Sequence, residues 1–284
     1  MDNSRLLKDK IFKIVVITFA LITASPIVLI IIKLIKEGYK QLSFNFLIEN
    51  TPDTFAAMTA IVAGEKIPGG IANGIVGSLL MIVLAAAIAI PFGIMIGVYL
   101  YENGKKRMAG VVRNIADILQ GVPSIVLGLI SYLWIVKYIT MGFSALAGSV
   151  SLSVMMLPMI IRSTEETLKM IPVTLKEAAL ALGTPLYKVI LKVMIPTGFS
   201  GILTGILLGI SRILGETAPL MLTALGCQII NLDITRPTSA IPLLIWDFYN
   251  DPNMVSLVWS SSLLLMIIVL TLNIISKQFI NRSR

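Results

Sequence analysis

Long apolar runs separated by short polar segments dominate the chain. The runs lie at about residues 14–35, 71–100, 115–137, 143–162, 199–225 and 255–276. Each approaches or exceeds the roughly 20 residues that an α-helix needs to cross a bilayer. The pattern predicts an all-α, polytopic integral membrane protein with six transmembrane helices. Small residues also recur four apart, which predicts close helix packing, at Gly93 and Gly97 and at Gly201, Gly205 and Gly209.

The segment between the fourth and fifth runs has a different pattern. Its apolar residues recur at helical spacing, and Thr174 and Glu177 are spaced as a capping box. Gly183 suits the end of that helix, and Pro185 suits the first turn of a second one. We therefore predict two short amphipathic helices joined by a tight turn over residues 174–195.

This hairpin is expected to end at the membrane, where Pro196 stops its second helix. An amphipathic pair of this kind either lies on the lipid surface or docks onto another protein. Ala178, Ala179 and Ala181 form a small, flat face. Such a face suits a groove in a protein better than lipid, which favours large apolar side chains.

Charged residues in the fourth and fifth apolar runs are candidates for function. Arg212 and Glu216 lie four residues apart in the fifth run, so their side chains would meet on one helix. Arg212 falls near the middle of the membrane, where an ionisable residue is costly and is a functional candidate by default. A structural salt bridge is the alternative. Arg162, near the inner end of the fourth run, either reaches the cytoplasmic interface or belongs to a pathway.

The composition limits the class of protein and the kinds of site that the chain can form. Of the 284 residues, 56% are hydrophobic and 13% are charged, whereas a soluble protein has about 25% charged residues. The chain has one cysteine and no histidine, which excludes an internal disulfide, His-based metal sites and His general bases. It also lacks a P-loop of its own. We therefore expect no catalytic site, no metal and no cofactor in this chain.

The chain has a net charge of +8, and its positive residues are distributed as membrane topology predicts. Most of the 23 Lys and Arg residues fall in the two termini and in the segments 105–113 and 163–197. Because cytoplasmic segments carry the excess of Lys and Arg, both termini and the 163–197 loop are predicted to lie in the cytoplasm. The charge is thus a topology signal and does not indicate nucleic-acid binding.

The hairpin resembles the EAA loop of ABC importer permeases, whose pattern is E-A-A-x3-G-x9-I-x-L-P. The spacing matches throughout, with Val193 and Ile195 where the family usually has Ile and Leu. The resemblance implies a type I ABC importer permease fold, with ATP hydrolysed by a separate chain. It assigns contact with the ATPase to Glu177, Ala178, Ala179, Gly183 and Pro196.

A narrower resemblance extends from about residue 69 to residue 225. It rests on R-I-L-G-E-T-A-P-L at 212–220, R-S-T-E-E at 162–166 and G-V-P-S-I at 121–125. These runs are similar to the phosphate-specific permeases of that superfamily, and closer to the A-type subunit than to its C-type sister. The resemblance marks Arg162, Arg212 and Glu216 as residues of the translocation pathway or its gate.

The two resemblances together imply a function and a set of partners. The expected function is ATP-driven import of inorganic phosphate across a bacterial or archaeal cell membrane. The expected partners are a sister phosphate permease subunit in a heterodimer, two copies of an ATP-binding subunit, an outer phosphate-binding protein and membrane lipid. The chain would divide into an N-terminal segment, 1–70, and a permease core, 71–284, with the coupling loop at 163–197.

Two other functions remain open at this point. One is a permease for another oxyanion, such as molybdate or sulfate, which the EAA loop alone does not exclude. The other is a proton-coupled secondary carrier, in which Glu216 would be the carrier carboxylate. The internal inverted repeats common in such carriers are not evident in the sequence.

Overall fold

The structure is a computed structural model that describes residues 3–282, with side chains described for residues 9–278. The predicted cytoplasmic termini include residues 1–2 and 283–284, which lie outside the described part. Residues 3–282 contain no β-strand and only one isolated bridge, between Leu225 and Thr238. The helices are α1 (Asn3–Gly38), α2 (Phe44–Ile48), α3 (Thr54–Ala63), α4 (Ala72–Glu102), α5 (Arg107–Gly121), α6 (Ser124–Ser131), α7 (Ala145–Met170), α8 (Val173–Ala181), α9 (Leu186–Val189), α10 (Ile195–Thr197), α11 (Phe199–Ile213), α12 (Ala218–Met221), α13 (Ile241–Asn250) and α14 (Val255–Arg282).

The predicted all-α membrane architecture is confirmed. In the described part of the chain, α1, α4, α7 and α14 are each long and apolar enough to cross a membrane. Two bent pairs supply up to two further spans. One joins α5 to α6 and its π-helical extension at an angle of 105°, and the other joins residues 186–197 to α11 at 71°. The predicted run 115–137 is therefore not a single straight helix.

Prolines and glycines account for these breaks. Pro123 has no N–H to continue α5, and it holds Val122 in an extended conformation, φ −69° and ψ 130°. The prediction that Pro196 stops the hairpin was wrong. Pro196 lies in the first turn of α10, where a missing N–H is tolerated, and the chain bends two residues later at Gly198.

The end of α11 also differs from the prediction. The helix ends at Ile213, and the following N–H groups of Gly215 and Glu216 bond three residues back. Pro219 lies in the first turn of the next helix, where its missing N–H is tolerated, so it belongs to the start of that helix and not to the stop of α11. The short helix α12 then begins at Ala218.

Helix α7 is the centre of the molecule. Within its most apolar window 67% of the residues are buried, against 22% for α4 and 0% for α1. Glycines on two neighbours allow this packing. A Cβ built at Gly97 of α4 would lie 2.6 Å from Thr164 Cβ, and one built at Gly205 of α11 would lie 2.2 Å from Ser163 Cβ. The predicted close packing is confirmed, and its partner is α7 of the same chain.

The N-terminal helix has a different environment. Its apolar window is wholly exposed within the chain, as expected of a helix that faces lipid or another subunit. It contacts α14 near its end, where Ser260 Oγ donates a hydrogen bond of 2.7 Å to the carbonyl of Gly38. The division of the chain at residue 70 stays a prediction.

Candidate functional site

An open cavity of about 320 Å³ lies between α5, α7 and α11. It contains two of the three charged residues that the sequence singled out, Arg162 from α7 and Arg212 from α11. The structure thus brings together two guanidinium groups that lie fifty residues apart in the chain. The full lining is Gln120, Met159, Arg162, Ser163, Glu166, Gly205, Leu208 and Arg212.

The predicted contact between Arg212 and Glu216 is not formed. Arg212 is the penultimate residue of α11, and Glu216 follows three residues after the helix ends. The spacing of four residues brings side chains together only where the helix continues. Among the described residues Arg212 has no ion-pair partner, and its side chain is exposed. Glu216 is half-buried and does not line the cavity.

Arg162 is held in place by acidic residues. Its Nε lies 3.0 Å from Asp117 Oδ1, and a second guanidinium nitrogen also donates to that oxygen. Its Nη1 lies 3.7 Å from Glu165 Oε2. Two carboxylates therefore orient the guanidinium at the edge of the cavity, and they offset part of its charge.

Glu165 is the centre of a buried charge cluster. Its side chain has no exposed surface, and its Oε1 accepts hydrogen bonds from Arg113 at 2.5 Å and from Lys169 at 2.6 Å. A carboxylate removed from water requires such partners. The cluster ties α5 to α7 directly beside the cavity.

The ion pairs of this cluster were not predicted from the sequence. Arg113 and Asp117 have opposite charges four residues apart, which is the spacing that drew attention to Arg212 and Glu216. The sequence therefore contained the spacing that draws attention to these two residues, but that spacing predicts an ion pair between them within α5. In the structure each residue instead bonds to a residue of α7, Arg113 to Glu165 and Asp117 to Arg162.

The cavity is suited to a weak anion site. Arginine has planar, forked donors that match the oxygens of an oxyanion. Arg212 carries a positive charge that no described residue pairs with, whereas Arg162 is partly neutralised and Glu166 contributes a negative charge to the same lining. An anion would thus be attracted without being held tightly. The described residues include no group of three or more side chains able to hold a metal ion.

The predicted hairpin is present, with changes at its start. Helix α8 begins at Val173, and Pro172 precedes it without a side-chain cap, so the predicted capping box at Thr174 was wrong. Gly183 has φ +76°, and its N–H donates to Leu180 O at 2.9 Å. This left-handed position confirms the predicted turn, because only glycine adopts it without strain.

The two central alanines of the hairpin face different surroundings. Ala178 is exposed, and no residue of α8 is buried. Ala179 packs against an apolar cluster formed by Leu168, Ile171, Val189 and Met194. The surface free to contact another protein is therefore the one that carries Ala178, and Ala179 belongs to the attachment of the hairpin to its own chain.

A second cavity, of about 470 Å³, lies between residues 51–54, which follow the first apolar run, and residues 225–254, which follow the fifth run, so both of its loops are predicted to lie outside the cell. Thr54 Oγ1 donates a 2.7 Å hydrogen bond to Asp251 Oδ2, which joins the loops. This bond and the N–H of Asn253 lower the pKa of the Asp251 carboxyl below its usual range. Asp247 also lines this cavity. Because two aspartates lie in its lining, this cavity is less suited to an anion than the cavity that contains Arg162 and Arg212.

Comparison with known proteins identifies the class to which this chain belongs. Residues 89–284 match the family described as binding-protein-dependent transport system inner membrane component. One chain of the inward-facing MetNI methionine ABC transporter has the same fold, with a TM-score of 0.63 at 20% identity over 74% of this chain and 94% of that one. The chain is a membrane permease subunit of an ABC importer, and a transport subunit rather than an enzyme.

Relatives of similar sequence show to which group of permeases within that family the chain belongs. The phosphate transport system permease protein PstA of Yersinia pestis is 46% identical over 212 residues, 74% of this chain and 72% of that protein. PstA of Pasteurella multocida (strain Pm70) is 38% identical over 253 residues, 88% of this chain and 86% of that protein. The chain belongs to the PstA family of permease proteins, which confirms the resemblance to A-type subunits.

Proposed function

We propose that this chain is the A-type permease subunit of an ATP-driven importer of inorganic phosphate, and that Arg162 and Arg212 line its pathway. The observation that carries the proposal is the convergence of these two guanidinium groups on one open cavity. An arginine within a span faces a protein interior or a water-filled path, because a charge in lipid is costly. The PstA relatives are phosphate transport permeases by name, and they favour phosphate as the anion.

The weakness of the site agrees with transport. An importer must release its cargo, so a pathway residue should attract phosphate without retaining it. Arg212 supplies the attraction, and Asp117 competes with any anion for Arg162. The role of Glu216 as a gate stays a prediction of the sequence, since in this conformation Glu216 does not neutralise Arg212.

Membership of an ABC importer family implies a partner permease, an ATPase and a binding protein in general terms. Our proposal is more specific. The partners are a sister phosphate permease, two ATP-binding subunits and an outer phosphate-binding protein. Residues 71–284 form the permease core, both termini lie in the cytoplasm, and the ATPase contacts the hairpin through Glu177, Ala178, Gly183 and neighbouring residues. The assignment of Ala179 and Pro196 to the same contact stays a prediction of the sequence.

Transport in a reconstituted system tests the proposal. The permease pair, the ATPase and the binding protein are placed in liposomes, and uptake of labelled phosphate is measured. We expect uptake to require ATP, to persist when an ionophore collapses the proton gradient, and to resist excess molybdate or sulfate. Competition by either anion would favour the other-oxyanion permease. Uptake without ATP that is lost with the proton gradient would favour a secondary carrier. Neither alternative is favoured by the relatives.

The assignment of the hairpin has a separate test. Ala178→Asp places a charge on the exposed face of α8, and we expect it to prevent co-purification of the ATPase while the permease pair remains intact. Ala63→Asp is the matched control, because Ala63 is an exposed helical alanine on the predicted outer side. Retained ATPase binding by the Ala178 variant would exclude this face as the docking surface.

A further inference from the structure

We propose that the ion pair between Lys176 and Glu102 transmits movement of the hairpin into α4, and so couples ATP hydrolysis to the arginine cavity. The inference rests on the proposed function, since only a hairpin that docks on an ATPase has such a movement to transmit. It assigns a positioning role to two residues that lie outside the cavity and outside the exposed docking face.

The geometry of the pair is that of a firm connection. Lys176 Nζ lies 2.7 Å from both carboxylate oxygens of Glu102. The Lys176 and Glu102 side chains are only 19% and 14% exposed, so water and salt screen their attraction less than that of a surface pair. The ring of Tyr101 lies 5.2 Å from the same ammonium group and adds a cation–π contact.

Helix α8 has few other attachments to the rest of the chain. None of its residues is buried, and its apolar contact with the body of the protein is made through Ala179. Glu102 is the last residue of α4. The ion pair therefore joins the helix expected to receive the push from the ATPase to the end of a helix that crosses the membrane.

The route from α4 to the cavity is short and closely packed. Gly93 and Gly97 place the backbone of α4 directly against Ile160 and Thr164 of α7. Arg162 lies between these two contacts along α7. Movement of the α4 end is thus passed to the helix that carries one of the two cavity arginines, because close-packed helices transmit displacement.

The two covalent routes from the hairpin to the cavity both contain a break in helical structure. At the start of the hairpin, α8 is separated from α7 by Ile171 and Pro172, and Ile171 is extended, with φ −73° and ψ 131°. The second route runs through the end of the hairpin. Residues 186–197 and α11 meet at an angle of 71° around Gly198. A hinge of this kind can absorb a displacement before it reaches Arg212. The Lys176–Glu102 pair gives the hairpin a further, non-covalent connection to the membrane helices, and this one ends directly on α4.

The test is the number of phosphate molecules imported for each ATP hydrolysed, in the complete importer in liposomes. For Lys176→Gln we expect this ratio to fall by about tenfold, the effect of losing a partly desolvated charge pair, while the complex still assembles and hydrolyses ATP. Lys192→Gln is the matched control. It removes the same charge from the same hairpin at an exposed lysine that makes no ion pair within the described residues, so its ratio should equal that of the wild type.

Rescue distinguishes coupling from a purely local contact. Lys176→Arg and the exchanged pair Lys176→Glu with Glu102→Lys should both recover the ratio, because each restores opposite charges across the contact. A normal ratio in Lys176→Gln would overturn the inference. If Lys176→Gln fails to assemble, the exchanged pair decides: recovery supports the inference, and no recovery overturns it. Absence of ATP-driven phosphate uptake in the wild type would instead overturn the proposed function.

Discussion

Helices α7 and α11 each bring one arginine to the same cavity, but they hold it in different ways. Arg162 of α7 is bound to Asp117 and lies 3.7 Å from Glu165, which is itself bonded to Arg113 and Lys169. Arg212 of α11 has no ion-pair partner in the described part of the chain. One charge is thus positioned and partly neutralised, and the other is free.

The two arginines can therefore meet two different requirements of a transport pathway, attraction of the anion and its later release. An unpaired arginine attracts the anion strongly, whereas a paired arginine can exchange its carboxylate partner for the anion and then return to it. The helix with the paired arginine is also the most buried one, so its charges contribute to the structure. We therefore expect replacement of Arg212 to affect transport alone, and replacement of the charged residues of α7 to affect transport and stability.

The largest effect is expected at the free charge. Arg212→Gln should lower the rate of phosphate uptake by about 100-fold, because it removes a positive charge of the cavity that no carboxylate of the described residues offsets. Uptake in liposomes provides the measurement. Arg107→Gln removes an exposed arginine outside the cavity and should leave the rate unchanged. Normal uptake and ATP coupling in the Arg212 variant would end the assignment of Arg212 to the pathway.

The second effect concerns stability. Glu165→Gln removes the buried carboxylate that pairs with Arg113 and Lys169, and we expect it to destabilise the fold by about 3 kcal/mol. Thermal unfolding of the purified protein in detergent provides the measurement. Glu166→Gln changes the exposed neighbour in the same way and should leave the midpoint unaltered. Equal midpoints for the two variants would mean that the buried cluster does not stabilise α7.

The smallest effect is expected at Asp117. Asp117→Asn releases Arg162, so the cavity should attract phosphate more strongly and the KM for uptake should fall by about threefold, as an exposed ion pair contributes at most about 1 kcal/mol. Asp233→Asn is the control, because it removes a similar exposed pair with Arg236 on the outer loop. An unchanged KM in the Asp117 variant would show that Arg162 is not shared between the carboxylate and the anion.

The hairpin shows how far local sequence rules extend. The turn at Gly183 was predicted correctly, because a left-handed position at a helix end has a strong residue preference. The predicted start of α8 and the predicted stop at Pro196 were wrong. The rules for helix ends allow the end to fall at a neighbouring residue, and here α8 begins at Val173 and the chain bends at Gly198. The opposite surroundings of Ala178 and Ala179 were not predictable, since they depend on how α8 packs against Leu168 of α7 and Val189 in the second helix of the hairpin.

The sequence alone determined the class of protein, the positions of the apolar runs and the two arginines that reach the cavity. These follow from the length a helix needs in a bilayer, the cost of a charge within it and the resemblance to known permeases. Tertiary structure decided which charges pair. Helix α11 ends before Glu216, and the glycines of α4 and α11 place α7 at the centre of the molecule. Asp117 and Glu165 thereby become the partners of Arg162, because ion pairing depends on distance in space and only indirectly on spacing along the chain.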